Sequence, residues 1–272
     1  MGELDGKVAI VTGAGRLRGI GRATCVALAK LGCDIVPTGT GRSPASYPPD
    51  EKAAKWRDIE STAEQVRALG RKALPVIGDV SNSADVHRMV QQTLDKFGRI
   101  DILVNNAAFR RGEDRVTIDK LDEDVWRKVL DIKVTGAFLM SKAIAPQMIK
   151  QGKGGRIINI SSIGGKRGAA EVPAYCTANF ALQGFTQVLA QWLGQYNIPC
   201  NAICPGITDT SRMDDVGYPR AERWQQMVQR AVPMKRAASD DEIAGVIAFL
   251  CTKAGEYING QSINVCGGIA MW

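Results

Sequence analysis

The chain has one histidine, His87, in a polar stretch of helical character. That excludes a histidine-rich metal site and any catalytic triad built on an imidazole base. The cysteines Cys25, Cys33, Cys176, Cys200, Cys204, Cys251 and Cys266 are odd in number and scattered, with no Cys-x-x-Cys pair. Neither a disulfide framework nor a zinc knuckle is indicated, and each reads as a small buried hydrophobe. No run approaches the roughly 18 uninterrupted apolar residues of a membrane span. The opening residues carry acids near the front and glycines inside their apolar run, unlike a signal peptide, so a cytoplasmic location is expected. Basic residues cluster only as pairs such as Arg110-Arg111 and Lys166-Arg167, not as runs interleaved with aromatics, and no nucleic-acid partner is expected.

What is present fits a globular α/β chain. At 272 residues with 45% hydrophobic and 23% charged content, one domain spanning 1–272 is within reach of a single core. The net charge of +7 favours anionic ligands without naming one. Short β-branched runs at Val8–Thr12, Asp34–Thr38, Ala73–Gly78, Ile102–Asn105, Arg156–Ile160, Pro199–Cys204 and Ser262–Val265 alternate with helical stretches near 20–31, 51–69, 84–97, 122–149, 174–196, 220–229 and 240–251. The alternation predicts a doubly wound, parallel, seven-stranded sheet with helices on both faces. Ser239-Asp240-Asp241-Glu242 reads as a capping box, and Gly32, Gly70 and Gly98 as helix stops. The segment Gly39–Pro49, rich in Gly, Ser and Pro, reads as an extended loop inside the domain.

Val8–Thr12 runs into Gly13, Gly15, Arg16, Arg18, Gly19, Ile20 and Gly21, and then into a helical pattern. Strand, glycine turn and helix in that order suit a pyrophosphate: glycines let backbone N–H groups approach it, at a helix terminus whose partial positive charge favours an anion.

With these motifs the sequence resembles the short-chain dehydrogenase/reductase family over nearly its whole length. The family's Thr-Gly-x-x-x-Gly-x-Gly is similar to Thr12-Gly13 with Gly19-Ile20-Gly21, the turn being two residues longer here. Asp79-Val80 resembles its adenine-contacting pair, and Asn105-Asn106-Ala107-Ala108 its Asn-Asn-Ala-Gly. Asn159-Ile160-Ser161-Ser162, Tyr175, Pro205-Gly206-Ile207 with Thr210, and Gly260 to Val265 complete the order. The resemblance implies a nicotinamide cofactor held by the glycine turn, Asp79, Val80, Asn105, Ala107, Tyr175, Asn179, Pro205, Gly206, Ile207 and Thr210.

The stretch Val36-Pro37-Thr38-Gly39-Thr40-Gly41-Arg42 has no acid where one would accept the adenosine ribose hydroxyls and repel a 2′-phosphate. With Arg16 and Arg18 in the turn and Arg42 beyond the strand, NADP(H) is the expected cofactor and NAD(H) the alternative.

Resemblance further implies hydride transfer to or from a carbonyl or carbinol carbon, with Tyr175 exchanging the oxygen's proton and Ser162 holding the oxygen. Ser161 is expected to back the strand. A phenol with a pKa of about 10 is a poor base near neutrality, and the family sets a lysine one helical turn after the tyrosine. Here that position is Asn179, and the family's helix-interrupting asparagine is Lys133. A cation at 4 Å in an effective dielectric of 20 is worth ~4 kcal/mol, so the exchange matters. Either Lys133 supplies the ammonium that position 179 lacks, or the site is impaired, by divergence or by deliberate change.

Phe109, Ile163, Gly164, Ala169 and the variable stretch within 208–230 are expected to shape the substrate pocket. Arg110 and Arg111 read as solvated charge or as contacts to an acidic substrate. Related enzymes assemble as tetramers, and the apolar end Ile269–Trp272 is compatible with that, as is Trp192, which alternatively fills core. The leading expectation is an NADP(H)-dependent ketone reductase or alcohol dehydrogenase. The alternative is a nucleotide-binding protein of the same fold with little turnover.

Overall fold

The computed structural model describes residues 2–216 and 222–272. Seven strands form one sheet: β1 (Val8–Val11), β2 (Asp34–Gly39), β3 (Val76–Ile77), β4 (Ile102–Asn105), β5 (Arg156–Ile160), β6 (Cys200–Pro205) and β7 (Ser262–Val265). Their order is β3-β2-β1-β4-β5-β6-β7, every pairing parallel. Ile10 lies opposite Val36 on one side and Leu103 on the other. The helices are α1 (Ile20–Lys30), α2 (Pro49–Ala53), α3 (Ile59–Ala68), α4 (Ser83–Phe97), α5 (Glu123–Leu130), α6 (Gly136–Gln151), α7 (Pro173–Leu193), α8 (Glu222–Ala231) and α9 (Asp240–Cys251).

Strands buried on both faces are apolar at every position, and alternate residues serve separate cores. Ala9, Val11, Val104 and Ile158 pack with Cys25, Leu28, Ile243 and Ile247 from α1 and α9. Val8, Ile10, Leu103 and Ile157 pack with Met89, Met140, Ile144, Met148 and Leu189 from α4, α6 and α7. Each fully buried side chain of this size contributes about 1.5–3 kcal/mol. The seven cysteines are free thiols inside these layers, and His87 meets the Ser83 carbonyl in the first turn of α4. Ser239 and Glu242 form the expected capping box.

The structure corrects three expected elements. The expected helix 51–69 is two helices, broken where Lys55 and Asp58 adopt positive φ of 49° and 53°. The expected helix 122–149 is α5 and α6 joined by a π-turn at Asp131–Thr135, a form that recurs at functional positions. The third strand is reduced to Val76–Ile77, with only a bridge from Ala73 to Ile35, because Pro75 removes a ladder donor. A short parallel pair, Thr208–Asp209 with Ala238–Ser239, forms a separate two-stranded sheet. Among the described residues no helix is long and apolar enough to cross a membrane.

Candidate active site

Adjacent strands β1 and β4 send their connections to opposite faces of the sheet, which opens a crevice at their carboxyl ends. A cleft of about 1070 Å3 runs from there past the glycine turn to Tyr175. Thr12, buried at the end of β1, receives the N–H groups of Asn106 and Ala107 at 2.9 and 3.0 Å on its hydroxyl. Asn106 donates back to the Thr12 and Gly13 carbonyls at 2.8 and 2.9 Å. The glycine turn is thereby tied to the loop after β4. Gly13 has φ +66°, and a Cβ there would lie 2.9 Å from the Ala107 Cα, so only glycine fits both the conformation and the approach. The helix α1 starts at Gly19 with no side-chain cap and no acid in its first turn. Its N-terminus, Gly19, Ile20 and Gly21, lines the cleft.

The two extra residues of the turn are held by the segment following β2. Glu51, with no solvent exposure, accepts the Leu17 N–H at 3.0 Å and the Arg42 guanidinium at 2.9 Å. Asp58 accepts the Arg42 backbone N–H at 3.0 Å and its guanidinium at 3.1 Å. Arg42 and the Trp56 indole both donate to the Gly15 carbonyl, at 2.9 and 2.6 Å. Burial works against the Arg42 charge, but Glu51 and Asp58 outweigh it and hold the guanidinium above its ordinary pKa. Arg18 meets Asp50 at 2.7 Å and Asp209 at 3.0 Å. Arg42, expected to face a 2′-phosphate, lines the cleft with its guanidinium paired to two carboxylates. Asp58 also lines the cleft, and a Cβ on Gly15 would lie 1.7 Å from its Oδ1. An acid is thus present beside the turn after all, delivered by the break between α2 and α3.

Ser162 follows β5, and its hydroxyl accepts the Gly164 N–H at 3.0 Å. Tyr175 stands in the first turn of α7. The two converge on Gly164, whose Cβ, were it present, would meet Tyr175 Cε1 at 3.0 Å and Ser162 Oγ at 3.4 Å. Both line the cleft, with Gly13, Gly15, Arg16, Arg18, Arg42, Asp79, Val80, Ala107, Lys133, Pro205, Gly206, Ile207 and Thr210. Ser161 donates to the Asn179 carbonyl at 3.0 Å, backing the strand as expected.

Two expected cofactor residues lie elsewhere. Asn179, 1% exposed, turns its amide to the Tyr175 carbonyl one turn back, at 2.8 Å, and is not among the cleft residues. Its Oδ1 is buried without a hydrogen-bond partner. Asn105 is likewise buried; it donates to Asn159 at 2.9 Å, which donates to Thr186 at 2.9 Å. Lys133 sits in the π-turn, buried but reaching the cleft. Burial lowers its pKa to about 7, and the nearby Arg212 charge pushes in the same direction.

Around Tyr175 fewer contacts were legible in advance. The Arg115 guanidinium lies 4.4 Å from the ring centroid and that of Arg212 lies 5.3 Å away. Arg212 donates to the Phe109 carbonyl at 2.8 Å, and Arg115 contacts the buried carboxylate of Asp114 at 3.2 Å. Burial, together with Arg212 and Arg111, lowers the pKa of Arg115 against the pull of Asp114. Arg111 points to the Met213 sulfur, and the exposed Arg110 pairs with Glu113. Asp58, Glu51 and Arg115 were missed, and Arg212 lies within the stretch 208–230 expected to shape the pocket without being singled out. Arg115 carried one signal, an Asp-Arg dipeptide in the loop after β4. Within the expected variable stretch, residues 217–221 lie outside the described residues.

A doubly wound sheet with a glycine turn at its switch point defines a dinucleotide-binding protein. The chain belongs to the short-chain dehydrogenase/reductase family: residues 13–270 match the family model described as enoyl-(acyl carrier protein) reductase. It is 36% identical to a 3-oxoacyl-[acyl-carrier-protein] reductase of Synechocystis sp. over the full length of both. It is 35% identical to a 2-dehydro-3-deoxy-D-gluconate 5-dehydrogenase of Dickeya dadantii, over 98% of this chain and 96% of that one. The acetoin dehydrogenase structure from Enterobacter cloacae superposes with a TM-score of 0.78 at 35% identity, covering 97% and 95% of the two chains.

Proposed function

We propose that the chain transfers a hydride between a nicotinamide dinucleotide and a carbonyl or secondary alcohol. The observation that carries this reading is the convergence of Ser162 and Tyr175 on Gly164 in the cleft that begins at the glycine turn. The names of the similar proteins, a reductase and two dehydrogenases, support the same class. The cleft is large enough for a dinucleotide, and the glycine-rich N-terminus of α1, whose Gly19 N–H meets Asp240, lines it as a pyrophosphate site would. The cofactor supplies or takes up the hydride. Ser162 holds the substrate oxygen, and the Tyr175 hydroxyl gives that oxygen a proton in reduction and takes it in oxidation. Lys133, from the π-turn, lines the same cleft and is the side chain that would replace the cation position 179 lacks, carrying its charge below its lowered pKa of about 7.

Between the two dinucleotides, NAD(H) is the reading we adopt over NADP(H). Supporting it are the commitment of Arg42 to Glu51 and Asp58 and the carboxylate of Asp58 beside Gly15, which would accept ribose hydroxyls and oppose a phosphate. Assembly through α6 and α7 into a tetramer is supported by Phe138, Phe180, Val188 and Trp192, large side chains exposed there, with Met271 and Trp272 exposed at the chain's end. A second reading, nucleotide binding with little turnover, is favoured by Asn179 turning away from the cleft.

The test is direct titration with NADH and NADPH beside oxidation of each with a panel of ketones. NADH binding with ketone-dependent oxidation supports the first reading. Binding without turnover selects the second, and absence of binding overturns both.

A further inference from the structure

The wall of the cleft around Tyr175 gathers cationic side chains. Arg115 and Arg212 place their guanidinium groups 4.4 and 5.3 Å from the centroid of the tyrosine ring. Both line the cleft, with Lys133 and Arg167. Like charges in one half-buried site repel and lose hydration, a cost that internal pairing normally relieves. Here Asp114 meets Arg115 at 3.2 Å, and Arg212 is held by the Phe109 carbonyl. Arg212 Nε is buried with no hydrogen-bond partner, whereas Arg115 Nε lies 3.2 Å from the Asp114 carboxylate. A protein that needed these arginines only for packing would have no reason to collect them at its reactive hydroxyl.

From this arrangement, and resting on the hydride-transfer reading above, we infer that the substrate is a short oxo acid or hydroxy acid whose carboxylate is held by Arg115 and Arg212 beside Tyr175. Three features select that class. The guanidinium fork matches a carboxylate with two parallel hydrogen bonds, a match lysine lacks. Arg115, Arg212 and Asp114 together carry one net positive charge, suited to a carboxylate monoanion rather than a phosphate dianion. Both guanidinium groups lie against the ring that bears the reactive hydroxyl, so an anion they bind is separated from the reacting carbon by only a few bonds. The Phe109 carbonyl fixes Arg212, and Asp114 fixes Arg115. Little ordering is left for binding to supply.

The experiment compares acetoacetate with methyl acetoacetate as substrates for the full chain with NADH, and titrates malonate, which cannot be reduced, into the chain with NAD+ by calorimetry. Wild type, Arg115→Met and Arg212→Met are measured. Expected are a kcat/KM at least tenfold higher for the acid than for the ester, a fall of at least tenfold in that ratio in each variant, and malonate binding that both variants lose. Circular dichroism and NADH affinity report whether each variant keeps its fold and its other half-site. An ester turned over as well as the acid, malonate that does not bind, or binding unaltered in both folded variants overturns the inference. So does inorganic phosphate binding more tightly than malonate. Malonate binding that depends on both arginines, without turnover of any ketone, leaves the anion site standing and removes the hydride-transfer reading. Turnover of neutral ketones alone does the reverse.

Discussion

At the glycine turn, Arg42 meets two carboxylates, Glu51 and Asp58, and Arg18 meets two more, Asp50 and Asp209. Around Tyr175, Arg115 meets the single carboxylate of Asp114, and Arg212 donates to the Phe109 carbonyl. The same residue type thus serves different ends in one cleft. An arginine neutralised by buried acids is part of the architecture: it fastens a loop and recognises a ligand only through the shape it imposes. An arginine left uncompensated keeps its hydrogen-bonding capacity for something that arrives from solution. The number of carboxylates within reach of each guanidinium, rather than the number of arginines, separates the two ends.

The sharpest way to part them is Tyr175→Phe, which deletes one hydroxyl at the cationic end. Turnover should fall by about a hundredfold or more, while calorimetric NADH affinity stays within about twofold. A comparable loss of NADH binding would mean that the ends are not separable. At the compensated end, Glu51→Gln leaves the buried Arg42 and the Leu17 N–H short of charge-assisted partners. Truncating a buried pair costs about 3–5 kcal/mol, and the milder isostere should cost about half of that, read as a Tm lower by about 5 °C or more. Asp58→Ser, in the same cluster, releases Arg42 without removing Glu51. The ratio of NADPH to NADH affinity should rise at least tenfold in parallel titrations; an unchanged ratio would refute the role given to Asp58.

Smaller effects come from Lys133, at the cationic end but buried in the π-turn. Lys133→Asn alone should lower the rate of alcohol oxidation and move its pH optimum upward, and Lys133→Asn with Asn179→Lys should be the most active of the four combinations. A coupling of zero in that cycle would remove the proposed charge relocation. Because the folded-state pKa is depressed to about 7, the unfolded chain binds a proton that the folded chain lacks between about pH 7 and the ordinary lysine range. Stability therefore rises with pH across that window, and the full penalty of the buried charge is present below it. Lys133→Met should raise Tm, by a few degrees more at pH 6 than at pH 9.

The same contrast explains what could be read in advance. The sheet was legible because β1, β4 and β5 are short, predominantly apolar, β-branched runs whose glycine and polar punctuation is local. Ser162 and Tyr175 were legible through motif order. The helix break at Lys55 and Asp58 was not, since it answers to partners far along the chain: the Trp56 indole reaches Gly15, 41 residues away, and Asp58 reaches Arg42. Local propensity over 51–69 is helical, and tertiary contacts override it. Asn179 was placed at the cofactor by its spacing from Tyr175, but a side chain shorter than lysine finds its own helix's carbonyl first.

The hydrogen bonds on Thr12 have a consequence for the order in which the molecule assembles. The hydroxyl that shapes the end of β1 is occupied by N–H groups 94 and 95 residues later in the chain. A polypeptide emerging during synthesis holds every glycine of the turn long before it can hold the turn's geometry. Closing a parallel contact of that span is slow, because chain entropy is lost before the contact repays it. Nucleotide affinity should therefore arise late and in one step with docking of β4, and a fragment ending before Ile102 would carry the whole glycine motif and no dinucleotide site.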